Sequence, residues 1–264
     1  MRGRCGDWGF GTSQNGIPVT IVIMESTDLL RQLYERQLET NPGDGYLRQH
    51  GEPGFLGGTI RVFRFYEPWL PKQGRILDWG CRHAPDACLI RAKLGDQIVL
   101  DGCDVNDENQ YAAFFTYAGL RYARLQAPVR LPYADESFDA VIASGVLEHV
   151  PMDYESLKEL NRILKPGGRL IVAYLPNRAS LEEWWLRTSG RGDFHRRQYS
   201  CREMRRMLLH AGFLPLVAGY QTQLDVLPRS NGQAFRLLRL LSRLLLAHRL
   251  TSCLCAVAEK TPYF

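Results

Sequence analysis

The chain has 264 residues, of which 45% are hydrophobic and 23% charged, and it carries a formal net charge of +5. These values are ordinary for a soluble globular protein, and the length suits one α/β domain with an appended element. The apolar run Ile17–Met24 is too short to span a bilayer, so no secretory or transmembrane segment is predicted. The seven cysteines include no CxxC pair, which indicates a reducing, intracellular compartment and no metal site.

The first part of the chain is predicted to be a leader followed by helices. Residues 1–23 are glycine-rich and are expected to be a flexible leader, in which Val19–Ile23 can form a lone strand. A helix is predicted from Ser26 to about Leu38, with the Ser-Thr-Asp run as its start. Residues 41–58 read as a long loop that acts as a lid or binding segment, and 59–70 as a helix that leads into the first strand.

An alternation of strands and helices follows. The predicted strands are 75–78, 98–104, 122–126, 139–144 and 168–175, and the predicted helices are 86–94, 107–118, 153–164 and 200–211. This alternation predicts an α/β fold with a doubly wound, mostly parallel sheet. Ligands of such sheets bind beyond the carboxyl ends of the strands. Lys165–Gly168 is predicted to be a turn between two elements, and 252–259 an antiparallel edge strand.

The first strand ends in an acid and a glycine turn. Asp78 follows Ile76-Leu77, Gly80 opens the turn, and a helical pattern begins at Asp86. A second acid, Asp104, closes the next strand at 104 − 80 = 24 positions after Gly80. Nucleotide-cofactor sites place a ribose-binding acid about 20 residues after such a turn. The pattern therefore predicts a cofactor crevice between these two strand ends.

Three stretches in this order resemble one family. Residues 76–81 resemble the ILDxGCG signature of class I S-adenosylmethionine (SAM) dependent methyltransferases, 131–141 resemble LPFxDxSFDxV, and 160–170 resemble xxRVLKPGGxL. The resemblance covers roughly residues 60–220 and lies nearest the branch that includes the ubiquinone/menaquinone-biosynthesis methyltransferases. It implies a Rossmann-like sheet of seven strands with an antiparallel last strand, preceded by a helical lid over 24–70 and continued as the catalytic domain over 71–264.

The resemblance also implies a set of SAM-binding residues. Asp104 is expected to bind the ribose hydroxyls, and Asp78 the aminocarboxypropyl end together with the turn amides. The full predicted set is Asp78, Gly80, Cys81, Arg82, Asp104, Val105, Gln126, Ala127, Ser144 and Gly145. The chain departs from the family at Arg82 and Ala84, where glycines are usual, and at Ala127, where an acid usually binds the adenine amino group. Arg82 can contact the SAM carboxylate or fill the pocket, and Gln126 can replace the missing acid.

Two histidines are candidate general bases for a hydroxyl acceptor. His149 follows the fourth strand, and His195 lies in an acceptor-side insertion over 176–200. A base works best when its pKa lies near the working pH, which favours histidine. His149 is the preferred candidate, and a purely structural role in orienting its loop is the alternative for it. The predicted reaction is O-methylation of a small, sugar or lipid-linked acceptor.

The last third of the chain is basic. From Arg178 to Arg249 there are 13 Arg or Lys residues against 5 Asp or Glu. Within it, 230–250 is predicted to be an amphipathic helix, whose leucines and arginines fall on separate faces over 233–250. This helix can pack on the core, lie on an anionic membrane surface or bind a partner. A cytoplasmic protein, peripheral to the inner membrane surface in the second case, is expected, and no nucleic-acid partner.

Two other functions remain open on the sequence alone. Because Arg82 and Ala84 replace glycines in the turn, a degenerate methyltransferase-fold protein that binds without catalysis is one alternative. An NAD(P)-dependent oxidoreductase is a weaker one, because the chain has no GxGxxG fingerprint.

Overall fold

The computed structural model describes residues 19–189, 195–221 and 253–262, and its strands form one sheet. In chain order the strands are β1 (Gly74–Trp79), β2 (Ile98–Asp104), β3 (Arg121–Arg124), β4 (Phe138–Ser144), β5 (Leu164–Pro176), β6 (Phe213–Gln221) and β7 (Cys253–Lys260). Their order in the sheet is β3-β2-β1-β4-β5-β7-β6. Strands β1 to β5 are parallel, and β7 runs antiparallel to β5 and β6. The predicted fold class is confirmed.

Helices cover both faces of the sheet. They are α1 (Val19–Thr40), α2 (Gly45–His50), α3 (Pro53–Tyr66), α4 (Pro85–Leu94), α5 (Ala112–Ala118), α6 (Asp153–Ile163), α7 (Leu181–Ser189) and α8 (Cys201–His210). Ile76 packs with the cluster that includes α1, α3, α4 and α5, whereas the next residue, Leu77, packs with α6 and α8. Both side chains are fully buried. Successive residues of β1 therefore serve two different apolar cores, as the period of a strand requires.

The N-terminal region is more helical than the sequence predicted. Helix α1 begins at Val19, so the lone strand over Val19–Ile23 is wrong and Ser26 lies inside the helix. The predicted loop over 41–58 contains α2 and the first turns of α3. Asp44 caps α2 by accepting two backbone N–H groups, and Pro53 occupies the start of α3, where proline is well tolerated. Because this stretch is rich in glycine, the sequence analysis interpreted it as a loop and missed these two helix-start signals.

The C-terminal half of the sheet differs from the prediction in two details. Strand β7 lies between β5 and β6, so β7 is not the edge strand. Lys165–Gly168 forms a bulge within β5, because Leu164 pairs with Phe138 and pairing resumes only between Arg169 and Ala140. In the bulge Gly167 has a positive φ of 75°, which glycine adopts readily.

Several predicted segments fall outside the described residues. The basic helix over 230–250 does so entirely, and so do residues 1–18 of the predicted leader and 190–194 of the acceptor-side insertion. Among the described helices, none combines the length and apolar character needed to cross a bilayer.

Candidate active site

The turn after β1 repeats one unusual backbone conformation at alternate residues. Gly80, Arg82 and Ala84 have positive φ values of 67°, 45° and 55°. At Gly80 a Cβ would lie 2.5 Å from Cγ2 of Val146, so only glycine fits there. Arg82 and Ala84 occupy the left-handed region at a cost of roughly 1–2 kcal/mol each. The turn thus keeps a glycine-type shape although two of its glycines are replaced.

Asp104 ties this turn to the end of β2. Its Oδ2 accepts the backbone N–H of Arg82 at 2.7 Å, and its Oδ1 accepts the N–H of Val105 at 2.6 Å. Gly80 N–H and Cys81 N–H both donate to the carbonyl of Cys103, at 2.7 and 3.3 Å. The predicted cofactor residues at the ends of β1 and β2 are therefore brought together.

A buried pair of carboxyl groups lies behind the turn. Asp78 is 2% exposed, and its Oδ2 has no hydrogen-bond partner among the described residues. Asp86, in the first turn of α4, accepts the hydroxyls of Tyr66, at 2.5 Å, and of Ser144. Burial, together with the Asp86 carboxylate, holds the pKa of Asp78 well above its usual range. The sequence analysis missed the role of Asp86, although an acid in the first turn of a helix was a visible signal.

The side chain of Arg82 contacts the N-terminal helices. Its guanidinium carbon lies 3.4 Å from the centre of the Tyr46 ring of α2, and its Nε donates to the Tyr111 hydroxyl at 3.3 Å. The next residue, His83, is buried, and its Nε2 lies 2.5 Å from the Tyr34 hydroxyl of α1. Two consecutive turn residues therefore join the glycine turn to α1 and α2.

The remaining predicted cofactor residues lie at the end of β4 or in the segments after β3 and β4. Ser144 ends β4, and Gly145 has a φ of 65° and donates its N–H to the carbonyl of Ala173 at 2.9 Å. Strand β3 ends at Arg124, so Gln126, which is exposed, and Ala127, which is half-buried, lie in the segment after it. Their assignment to the adenine stays a prediction.

The two candidate bases lie next to each other in space, beyond the carboxyl end of β4. The rings of His149 and His195 are 5.9 Å apart between centroids, and Nε2 of His149 lies 3.8 Å from Oε1 of Glu148. Glu183 of α7 accepts from Nδ1 of His195 at 2.7 Å and from its backbone N–H at 3.1 Å. The sequence analysis missed both glutamates. Glu148 adjoins His149 in the chain, but nothing in the sequence linked Glu183 to His195.

Ionisation in this group follows burial and charge. Burial raises the pKa of Glu148 to about 7, although the nearby His195 works in the opposite direction. Burial also disfavours the charged form of Glu183, but hydrogen bonds from the ring and backbone of His195 outweigh it and lower the pKa of Glu183. The pKa of His149 is lowered, first by burial and second by the positive charge that the nearby His195 can carry. Glu183 is thus the carboxylate that is suited to orient a histidine.

A cavity of about 560 Å³ lies elsewhere, at the amino ends of the strands, and is lined by Trp69, Asp139 and Lys165 among others. Gly74, at the start of β1, adjoins Asp139 there. This is the opposite edge of the sheet from the glycine turn. We therefore do not assign the cofactor to it.

Comparison with known proteins identifies the domain. Residues 77–172 match the model of a methyltransferase domain. The ubiquinone/menaquinone biosynthesis C-methyltransferase UbiE of Geotalea daltonii is 32% identical over 104 residues, which cover 38% of this chain and 44% of the relative. The 27-O-demethylrifamycin SV methyltransferase of Amycolatopsis mediterranei is 31% identical over 119 residues, which cover 41% of this chain and 42% of the relative. The chain thus spans less than half the length of these two relatives.

A solved structure extends the likeness to most of the fold. Phosphoethanolamine N-methyltransferase 2 of Haemonchus contortus, solved in complex with SAM, superposes with a TM-score of 0.57 at 16% identity. The match covers 88% of this chain and 56% of that one. At this identity the likeness concerns the fold. Residues 77–172 are thus similar in sequence to a methyltransferase domain, and the described chain shares the fold of a methyltransferase that binds SAM.

Proposed function

We propose that this protein transfers a methyl group from SAM to an oxygen atom of a small, sugar or lipid-linked acceptor. The observation that carries the proposal is the convergence of Asp78, the glycine turn and Asp104 at the carboxyl edge of one sheet. Ligands of doubly wound sheets bind at this edge. The matched methyltransferase domain supports the same cofactor class.

The residues present fit SAM. Each oxygen of the Asp104 carboxylate accepts one backbone N–H and retains a second lone pair, so the pair can also accept from two ribose hydroxyls. The unpartnered Oδ2 of Asp78 is suited to the ammonium of the aminocarboxypropyl end. Gly80 lets the backbone approach a ligand closely. When bound, SAM supplies a methyl group on a sulfonium, which is already a good leaving group.

We propose that α1 and α2, within the lid over 24–70, cover the cofactor side of the turn. The contacts that support this are the stack of Arg82 on Tyr46 and the hydrogen bond between His83 and Tyr34. A cover of this kind excludes water and fixes the reacting groups, which is the main task left to the protein when the leaving group is good.

The acceptor side is proposed to lie where His149, His195 and α7 meet. Glu183 holds Nδ1 of His195, so the other ring nitrogen is the one suited to take a proton from an acceptor hydroxyl. Trp184 and Trp185, next to Glu183, are 55% and 50% exposed and offer an apolar surface to a lipid-linked or aromatic acceptor. His149, the other candidate base, has a more exposed side chain, and its Nε2 lies 3.8 Å from Oε1 of Glu148, which is longer than a hydrogen bond.

C-methylation is the second candidate, because the Geotalea daltonii relative is a C-methyltransferase. The histidine and glutamate group can take the proton of an acceptor hydroxyl, but C-methylation also releases a proton, so the product must be identified directly. SAM with a deuterated methyl group, offered with panels of phenols, sugars and quinols, separates the two candidates. The position of the label in the product, read by mass spectrometry and NMR, identifies the methylated atom.

The proposal is tested first by cofactor binding. Calorimetric titration of the purified chain with SAM, S-adenosylhomocysteine and NAD⁺ should show one-to-one binding of the first two and none of the third. Binding of NAD⁺ alone would overturn the proposal in favour of an oxidoreductase. SAM binding without turnover of any acceptor in the panels would favour a non-catalytic binding protein.

We also propose that residues 233–250 bring a cytoplasmic protein to the inner membrane surface. The support is the sequence alone, in which Arg236, Arg239 and Arg243 share one face of a leucine-rich segment. Basic amphipathic helices bind anionic interfaces in this way. A lipid-linked acceptor would then be met where it resides.

A further inference from the structure

Three side chains of the types that bind metal ions lie close together beyond the carboxyl end of β4. Glu148, His149 and His195 each offer a ligand atom, and these atoms all lie within 4.8 Å of one another. Around a tetrahedral ion with bonds of about 2.1 Å, neighbouring ligand atoms are roughly 3.4 Å apart. Side-chain movements that shift each ligand atom by about 1 Å therefore suffice for all three to coordinate one ion.

The carboxylate of this group is buried in a way that calls for a cation. The side chain of Glu148 is 3% exposed, and its Oε2 has no hydrogen-bond partner among the described residues. A buried polar atom without a partner is costly, and a bound ion removes the cost. The side chain of His149 is 66% exposed, so the group has an entry path from solvent.

An outer carboxylate already holds one of the histidines. Glu183 accepts from Nδ1 of His195 at 2.7 Å, and Gln198 donates to the other oxygen of Glu183 at 3.0 Å. In metal sites a carboxylate behind a ligating histidine fixes the tautomer, so that the opposite nitrogen faces the metal. Glu183 is placed to hold His195 in the corresponding tautomer, with Nδ1 as the donor.

We propose that Glu148, His149 and His195 form a binding site for a divalent transition-metal ion of the Zn²⁺ type. Two imidazoles and one carboxylate favour Zn²⁺, Co²⁺ or Fe²⁺ over Mg²⁺ and Ca²⁺, which prefer sites made of oxygen ligands. The sequence analysis predicted no metal site, because the third ligand and its supporting carboxylate come from the distant insertion.

The site lies next to the cofactor edge, because a Cβ at Gly145 would be 3.9 Å from Oε1 of Glu148. Three protein ligands leave a coordination position open, as in catalytic zinc sites. A hydroxyl oxygen of the acceptor bound there would lose its proton to solvent more readily, and the two histidines would then serve as ligands rather than as bases. This role rests on the proposed function, whereas the existence of the site does not.

The test uses the full chain after treatment with EDTA, without SAM or acceptor. Co²⁺ is titrated while the visible d–d absorption is recorded, and Zn²⁺ binding is measured by calorimetry. The variants His149→Ala and Glu148→Gln remove ligands, and Glu183→Gln removes only the outer carboxylate. His210→Ala, at an exposed histidine of α8, is the matched control, and circular dichroism checks the fold of every variant.

We expect one bound ion in the wild type and in His210→Ala, with affinity reduced about tenfold or more in each ligand variant and about 10- to 100-fold in Glu183→Gln. Equal affinity in the wild type and His149→Ala would overturn the site. So would thiolate-to-cobalt absorption, which would assign the ion to the buried cysteines, such as Cys81 and Cys103. Failure of SAM binding in the separate titration would overturn the proposed function and leave the metal site standing.

Discussion

The carboxylate of Asp104 accepts the backbone N–H of Arg82 at 2.7 Å, and this bond joins the end of β2 to the turn after β1. The two residues are 22 positions apart in the chain: Asp104 ends β2, and Arg82 lies in the turn after the neighbouring parallel strand β1. The same carboxylate that is proposed to bind the ribose therefore also holds the turn that is proposed to bind the other end of SAM. Cofactor affinity and the shape of the turn depend on one side chain.

Replacement of this side chain should weaken SAM binding. In Asp104→Ala we expect a loss of roughly 1.5–3 kcal/mol, the usual contribution of hydrogen bonds to a charged group, or about 10- to 150-fold in affinity. Calorimetric titration with SAM measures this loss of affinity. Asp96→Ala is the matched control, because the Asp96 side chain is fully exposed before the other end of β2. Unchanged affinity in Asp104→Ala would remove the ribose assignment.

The positive φ of Arg82 should reverse the usual order of alanine and glycine. Arg82→Gly and Arg82→Ala both lack the guanidinium, so their difference reports the backbone alone. We expect the glycine variant to be more stable by about 1 kcal/mol in urea unfolding, because it relieves the left-handed conformation. At Arg206, an exposed residue within α8, the alanine variant should be the more stable by about 1 kcal/mol. The same order at both sites would contradict the prediction.

Buried Asp78 should make the stability of the protein without SAM fall as the pH rises. Burial and Asp86 raise its folded-state pKa, so the folded protein binds this proton more tightly than the unfolded chain does. The contribution of Asp78 to stability is then greatest below the ordinary aspartate range and is lost as the pH rises through the folded-state pKa. Asp78→Asn should flatten this decline in urea unfolding at several pH values, while it weakens SAM binding.

Asp96→Asn, at a fully exposed side chain, is the surface control for the pH series. Parallel stability profiles for the wild type and Asp78→Asn would show that Asp78 is not the group responsible. A gain in stability at neutral pH combined with a loss of SAM affinity would show that the buried carboxylate is kept for binding rather than for folding.

The arginines of 233–250 should determine membrane association. Replacement of Arg236, Arg239 and Arg243 by glutamine should reduce partitioning to anionic vesicles roughly 100-fold, at about 1 kcal/mol per basic residue. Sedimentation with anionic and with uncharged phospholipid vesicles measures it, and glutamine preserves the leucine face. If the wild type and the triple variant sediment equally, the membrane proposal fails.

The clustering of the predicted cofactor residues could be predicted because their signals are local. Asp78 is the next-to-last residue of β1, Asp104 ends β2, and Gly80 begins the turn between strand and helix, so their spacing predicted that they lie close together. The alternation of strands and helices gave the order of the parallel part. The left-handed conformations of Arg82 and Ala84 were not predictable, because the surrounding bonds, rather than the residues themselves, impose them.

The acceptor side was predictable only in part. His149 was chosen for its chemistry and its place after the fourth strand, and His195 for its chemistry and its place in the acceptor-side insertion. The approach of Glu183 to His195 depends on how α7 packs. The helices in 41–58 were missed because glycine is a weak helix former, whereas burial of Leu47 and Leu56 stabilises α2 and α3. In both examples tertiary packing, which the sequence does not reveal directly, determines the structure.

The place of β7 in the sheet has a consequence for biosynthesis. Strand β6 pairs only with β7 among the described strands, although β6 leaves the ribosome well before β7 does. The parallel strands β1 to β5 can assemble as they emerge, but β6 must wait with its edge groups unsatisfied until residues 253–260 are made. During that interval the edges of β5 and β6 that β7 later covers are open, and among the described strands these edges expose the nascent chain to misassociation with other chains.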